Sequence, residues 1–129
     1  MPKRQPLALV SEDTELGRWA LSRALEAEGF EVHAVPTWVE ASAWLLRAKF
    51  SLALVAVSSS SGNAADIVAY VSQHHPGTHL VLLADDDSVG ELRRACGPDL
   101  DILAKPLDLD AVAHVAHTRP ASGDDMLEA

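Results

Sequence analysis

The chain has 129 residues, the size of one ordinary domain. Hydrophobic residues make up 48% and charged residues 22%, a balance that supports a packed core and excludes a disordered chain. Ten Lys and Arg against nineteen Asp and Glu leave a formal charge of −9, which argues against direct nucleic-acid binding, because phosphate neutralisation needs a cationic face. Leu7, Ala8, Leu9 and Val10 form a first short apolar strand over 7–11. A helix is predicted over 15–28, with Gly17, Ala20, Leu21, Ala24 and Leu25 on one face and Gly29 stopping it as the residue beyond the C-cap. A second strand follows at 31–35, and Pro36 and Thr37 open a helix to about 48, with Thr37 as N-cap. Residues 52–57 are apolar throughout, as in a parallel strand buried on both faces. After a polar loop at 58–63 come a helix over 64–74, a Pro76-Gly77 turn and an almost wholly apolar strand over 79–84. Asp85, Asp86 and Asp87 cap a short helix over 88–96 that Gly90 weakens. A fifth strand at 101–104 stops at Pro106, and a last helix starts at Asp108 or Asp110 and runs to about 118.

Five strands alternating with five helices give a (βα)5 arrangement, which favours a doubly wound α/β fold with a five-stranded parallel sheet and right-handed crossovers. Residues 1–118 read as one domain, and 119–129 as a disordered tail or linker. The basic start is followed by only four apolar residues, too few for a secretory segment. The longest apolar run, 52–57, is far short of the ~20 residues that span a bilayer. No membrane association is expected. The lone Cys96 excludes an internal disulfide and fits a reducing, cytoplasmic compartment. It reads as a small buried residue at a helix end.

In a doubly wound sheet, ligands bind beyond the carboxyl ends of the strands, where strand order reverses. Glu12 and Asp13 follow strand one, Ala56 and Val57 end strand three, and Ala84 and Asp85 end strand four. Lys105 and Pro106 follow strand five. Carboxylates beside one cation suit a hard divalent metal, although acids ahead of helices also serve as caps and complement the helix dipole. Lys105 at that same edge has no comparable structural reading.

With Glu12-Asp13 after strand one, Glu28-Gly29-Phe30 closing helix one, an apolar third strand and Lys105-Pro106 after strand five, the chain resembles the receiver domain of bacterial two-component response regulators. The likeness runs from Leu7 to about Thr118. It implies the flavodoxin-like fold with strand order 2-1-3-4-5. It also implies an acidic pair for Mg2+ at Glu12 and Asp13, a lysine at Lys105 joined by a cis bond to Pro106, a phospho-acceptor position at Ala56, a hydroxyl switch position at Ala84 and an aromatic switch position at Ile102. The last three are apolar here, so standard phosphotransfer should fail and any Mg2+ site loses a ligand. The chain is therefore expected to be a pseudo-receiver without enzymatic activity or a required cofactor.

Lys105, lacking its usual partner at position 56, should pair with Asp13, Glu12 or Asp85, because an unpaired buried charge is costly. Such a module would act by contact with a protein partner: an output domain, a kinase or a second copy. Trp19, off the apolar stripe of helix one, and Trp38, in the first turn of helix two, are the interface candidates; Trp44 reads as core. Two alternatives remain open. One is phosphotransfer through Asp85 or through Ser58, Ser59, Ser60 or Ser61. The other is small-molecule sensing in the space left at Ala56 and Ala84.

Overall fold

The computed structural model describes residues 5–57 and 64–117. The serine run at 58–61 and the segment 119–129 lie outside the described residues. Five parallel strands, β1 (Leu7–Ser11), β2 (Glu31–Val35), β3 (Leu52–Ala56), β4 (His79–Asp85) and β5 (Asp101–Lys105), lie in the order β2-β1-β3-β4-β5. Between and after them run α1 (Glu15–Ala27), α2 (Trp38–Leu45), α3 (Ala64–His74), α4 (Val89–Cys96) and α5 (Leu109–Ala116). This is the doubly wound arrangement that the alternating pattern predicts.

Alternation along the strands explains why β1, β3 and β4 are apolar at nearly every position: each strand feeds two cores. Leu9, Ala53, Val55, Leu80 and Leu82 face one layer, where they meet Ala41 and Leu45 of α2, Ile67 and Val71 of α3, and Leu92 of α4. Ala8, Val10, Leu52, Leu54, Val81 and Leu83 face the other, against Leu21 and Leu25 of α1 and Val112 and Val115 of α5. Gly29 closes α1 as the sequence predicts. Its φ of +96° lets its N–H bond the Glu26 carbonyl, while the N–H of Phe30 bonds that of Leu25 and drops the Phe30 ring into the core.

Several boundaries differ from the predicted ones. α2 ends at Leu45 rather than near 48, because the Arg47 N–H turns back to the Trp44 carbonyl in a tighter winding. Trp44 is half-buried rather than fully interior; its ring packs on His33 at 4.5 Å, with the Arg47 guanidinium 5.8 Å from its centre. Asp85 belongs to β4, not to the loop, since the ladder continues to the Asp85–Lys105 register pair. A 3-10 turn, Asp86–Ser88, then precedes α4. α5 starts under an Asp108 cap, whose carboxylate accepts the Asp110 N–H, and ends at Ala116. Cys96 is half-buried against the core, and burial pushes its thiol pKa up. No helix among the described residues is long and apolar enough to cross a membrane.

Candidate functional site

The chain leaves β1 for β2 on one side and later returns to β3 on the other, so strand order reverses beside β1. Beyond that point lies Glu12, only 4% exposed. The β2 edge anchors its backbone, because its N–H donates to the Val35 carbonyl at 3.0 Å. Burying a carboxylate costs several kcal/mol unless its lone pairs are filled, and here both oxygens are engaged. Oε1 accepts the Lys105 ammonium at 2.8 Å, a contact that spans 93 positions of sequence. Oε2 accepts the Thr14 hydroxyl at 2.7 Å and the Thr14 N–H at 3.3 Å.

Thr14 links this carboxylate to α1. It is the N-cap residue, and its hydroxyl oxygen accepts the Gly17 N–H at 3.1 Å while its proton goes to Glu12. Gly17 makes the approach possible. A Cβ there would lie 2.6 Å from the Thr14 hydroxyl, 2.7 Å from Glu12 Oε2 and 2.9 Å from Glu12 Cγ. Arg18, one residue on, donates to the Glu12 carbonyl at 2.8 Å and the Asp13 carbonyl at 3.2 Å, fixing the turn between β1 and α1. Glu12 and Lys105 are legible in the sequence as site residues; Thr14, Gly17 and Arg18 are not singled out there.

Burial works to raise the Glu12 pKa, but the hydrogen bonds from Lys105 and Thr14 and the Lys105 charge outweigh it. The carboxyl titrates below its ordinary value of 4.5. A depressed folded-state pKa contributes stability that is complete above the ordinary value and is lost as pH falls through the folded one. Thermal melts of the wild type and Glu12→Gln from neutral pH downward should therefore differ most near neutrality and draw together as the pH falls below the ordinary carboxyl value. A gap of constant size across that range would show that Glu12 titrates as an ordinary surface group.

The other predicted residues are placed as follows. Of the three acids proposed for Lys105, Glu12 takes it, while Asp13 and Asp85 are exposed to solvent at the same edge. The Lys105–Pro106 bond is cis, as the resemblance implies. Ala56 is the last residue of β3, half-buried and opposite Leu83. Ala84, 1% exposed, lies opposite Ala104, and Ile102, 9% exposed, lies opposite Leu82; both pack into the layer beneath α2, α3 and α4. Trp19 is 60% exposed, with the Arg23 guanidinium 5.8 Å from its ring centre. Trp38 differs from it, being half-buried with its ring set edge-on to Tyr70.

The resemblance implies a Mg2+ ion held by carboxylates at this edge, and the residues present do not fit one. Glu12 spends both oxygens on Lys105 and Thr14, and the ammonium already neutralises it. The Ala56 side chain offers no carboxylate where a further ligand is needed. Among the described residues, no group of three or more His, Cys, Asp or Glu is placed to hold a metal ion.

No family model matches the chain, and no curated protein sequence matches it. Solved structures do. A response regulator from Thermotoga maritima superposes with a TM-score of 0.71 at 23% identity, over 89% of this chain and 100% of that one. The signal receiver domain of an HD domain-containing protein from Pseudomonas fluorescens gives 0.71 at 19% identity, over 87% and 91%. A Vibrio cholerae chemotaxis protein gives 0.70 at 20% identity, over 86% and 95%. At these identities the likeness establishes the architecture, and the chain has the flavodoxin-like fold of response-regulator receiver domains, strand order 2-1-3-4-5.

Proposed function

We propose that the chain is a receiver-like signalling domain of the two-component type that works without phosphorylation, as a pseudo-receiver acting through protein–protein contact. One observation carries this reading. The carboxylate that would face a metal is tied to Lys105, while the strand end that would carry a phospho-acceptor ends in Ala56. A receiver switches when a phosphoryl group on the end of β3 draws a hydroxyl from β4 and the lysine from β5 toward itself. Ala56 has no nucleophilic oxygen, Ala84 has no hydroxyl to move, and Ile102 has no ring to turn. Lys105 has its ion pair already, so the fold rests in one state.

On this reading the domain is neither an enzyme nor a Mg2+-dependent protein, and it works in the cytoplasm. It makes no direct contact with nucleic acid, in keeping with its net charge of −9. Its partner is an output domain, a kinase or a second copy, and the exposed Trp19 is the first residue to test for that contact. Amide NMR spectra recorded with and without Mg2+ and beryllofluoride, a phosphoryl mimic that captures receiver aspartates, test the proposal. The expected spectra superimpose. Shifts spreading from the strand ends into α4 and β5 would show a working phosphoryl site and overturn it.

A further inference from the structure

The outward face of α2 is apolar where an exposed helix face is ordinarily polar. From Trp38 to Leu46 the only charged residue is Glu40. Ala41 and Leu45 are buried against the sheet, yet Val39 is 75% exposed, Leu46 is 77% exposed and Ala43 between them is exposed as well. A helix that is apolar on both faces belongs in an interior, and a contiguous apolar strip left in water marks an interaction site. We propose that this strip is covered by the same strip of a second copy of the chain, with the two α2 helices packed antiparallel about a two-fold axis at Ala43. The proposal gives the protein-contact reading above its partner and rests on that reading, while the strand-end site takes no part in the contact.

The spacing along the strip is self-complementary. Val39 and Glu40 stand four and three residues before Ala43, and Leu46 and Arg47 stand three and four after it. A two-fold axis at Ala43 sets the first half of each strip against the second half of the other. Leu46 of one copy then packs between Val39 and Ala43 of the other, and only methyl groups separate the helices where they cross. Glu40 and Arg47 are seven residues apart, two helical turns, so they flank the strip on the same side. Antiparallel packing brings Glu40 of each copy beside Arg47 of the other. Parallel packing would set Glu40 against Glu40 and Arg47 against Arg47. Both charges are already steadied at that edge: the Glu40 carboxylate accepts the Thr37 hydroxyl at 3.2 Å, and the Arg47 guanidinium lies 5.8 Å from the Trp44 ring centre.

Charge and area set the strength of the contact. A net charge of −9 makes two copies repel each other. The strip carries one acid and one base at its edge, so that repulsion is weakest there. On its other flank α2 and α3 leave a hollow of about 390 Å³, lined by Trp38, Ser42, Leu46, Asp66 and Tyr70, which gives facing side chains recessed room. Two helices of eight residues, each about 12 Å long, bury less than the roughly 1,200 Å² at which ordinary specific interfaces begin. The dimer is accordingly weak and depends on concentration.

Analytical ultracentrifugation of the full chain from about 1 μM to about 1 mM tests the proposal. The average mass should rise with concentration toward that of two chains. Leu46→Glu and Ala43→Arg should keep the chain monomeric throughout. Leu16→Ser, which removes a leucine 75% exposed on α1, should leave the dimer unchanged. Glu40→Arg leaves only basic groups beside the strip and Arg47→Glu only acidic ones, so each should weaken the dimer about tenfold. An equimolar mixture of those two variants should associate, and the double variant Glu40→Arg/Arg47→Glu should recover the wild-type affinity. All these positions are exposed, and circular dichroism confirms that each variant is folded. A chain that stays monomeric at the top of the range overturns the proposal and leaves the strip to a different protein. A dimer that survives Leu46→Glu and Ala43→Arg, or that is lost in Leu16→Ser, overturns it by placing the contact elsewhere. The beryllofluoride spectra test the phosphorylation-independent reading separately, so either can fail without the other.

Discussion

Lys105→Met is expected to lower the melting temperature by roughly 10 °C near neutral pH, corresponding to about 2–3 kcal/mol. Removing one partner of a buried ion pair typically costs about 3–5 kcal/mol, because the other charge is left without compensation. The lower figure applies because the Lys105 side chain is 32% exposed and water can reach the vacated end, whereas Glu12 is 4% exposed and cannot relax outward. The loss is tied to the Glu12 charge, so it should shrink as acid protonates that carboxyl. Adding Glu12→Gln to Lys105→Met should recover much of the stability, since no unpaired charge remains. Thermal melts of the two single variants and the double variant complete the cycle. Unchanged stability in Lys105→Met would mean that the ion pair contributes nothing and that the strand ends are not locked by it.

Gly17→Ala should destabilise the fold by about 1–3 kcal/mol, against the usual direction for such a change in a helix. Alanine ordinarily gains about 0.5–1 kcal/mol over glycine in a helix. At this position the added methyl would meet the Thr14 hydroxyl at 2.6 Å and the Glu12 carboxylate at 2.7 Å. Neither atom is free to move: Thr14 caps α1, and Glu12 is held by Lys105. Displacing them forfeits a cap worth about 1 kcal/mol and strains the ion pair. Gly90→Ala supplies the contrast. A Cβ there meets only the tip of Arg94 at 3.7 Å, an ordinary contact, so the same substitution in α4 should stabilise by about 0.5–1 kcal/mol. Chemical denaturation of the two variants reads both signs. A stabilised Gly17→Ala would show that Glu12 and Thr14 are loosely held.

The strands were legible because β1, β3 and β4 are apolar at positions facing both layers, a pattern that parallel sheets impose, whereas their order followed only from the resemblance to receiver domains. Lys105 was legible as a site residue because a lysine followed by proline at a strand end has little structural purpose. Its partner was not. Glu12, Asp13 and Asp85 all reach the same edge, and the choice rests on which carboxylate points inward, a property of the β1–α1 turn that Arg18 and Thr14 shape. Thr14 and Gly17 carried a signal that was passed over. A threonine just before a helix is a cap, and a glycine three residues later, where a glutamate or glutamine would complete a capping box, marks space reserved for another group. The early end of α2 and the partial exposure of Trp44 were not readable, since both depend on how the last turn winds against β2.

Intact-mass spectrometry after incubation with acetyl phosphate and Mg2+ tests the central claim most directly. A receiver-like domain with Ala56 at the end of β3 and Lys105 committed to Glu12 should keep its mass unchanged. A gain of one phosphoryl group would contradict that account, and mapping the adduct to Asp85, to the serines at 58–61 or elsewhere would identify the residue that carries the chemistry.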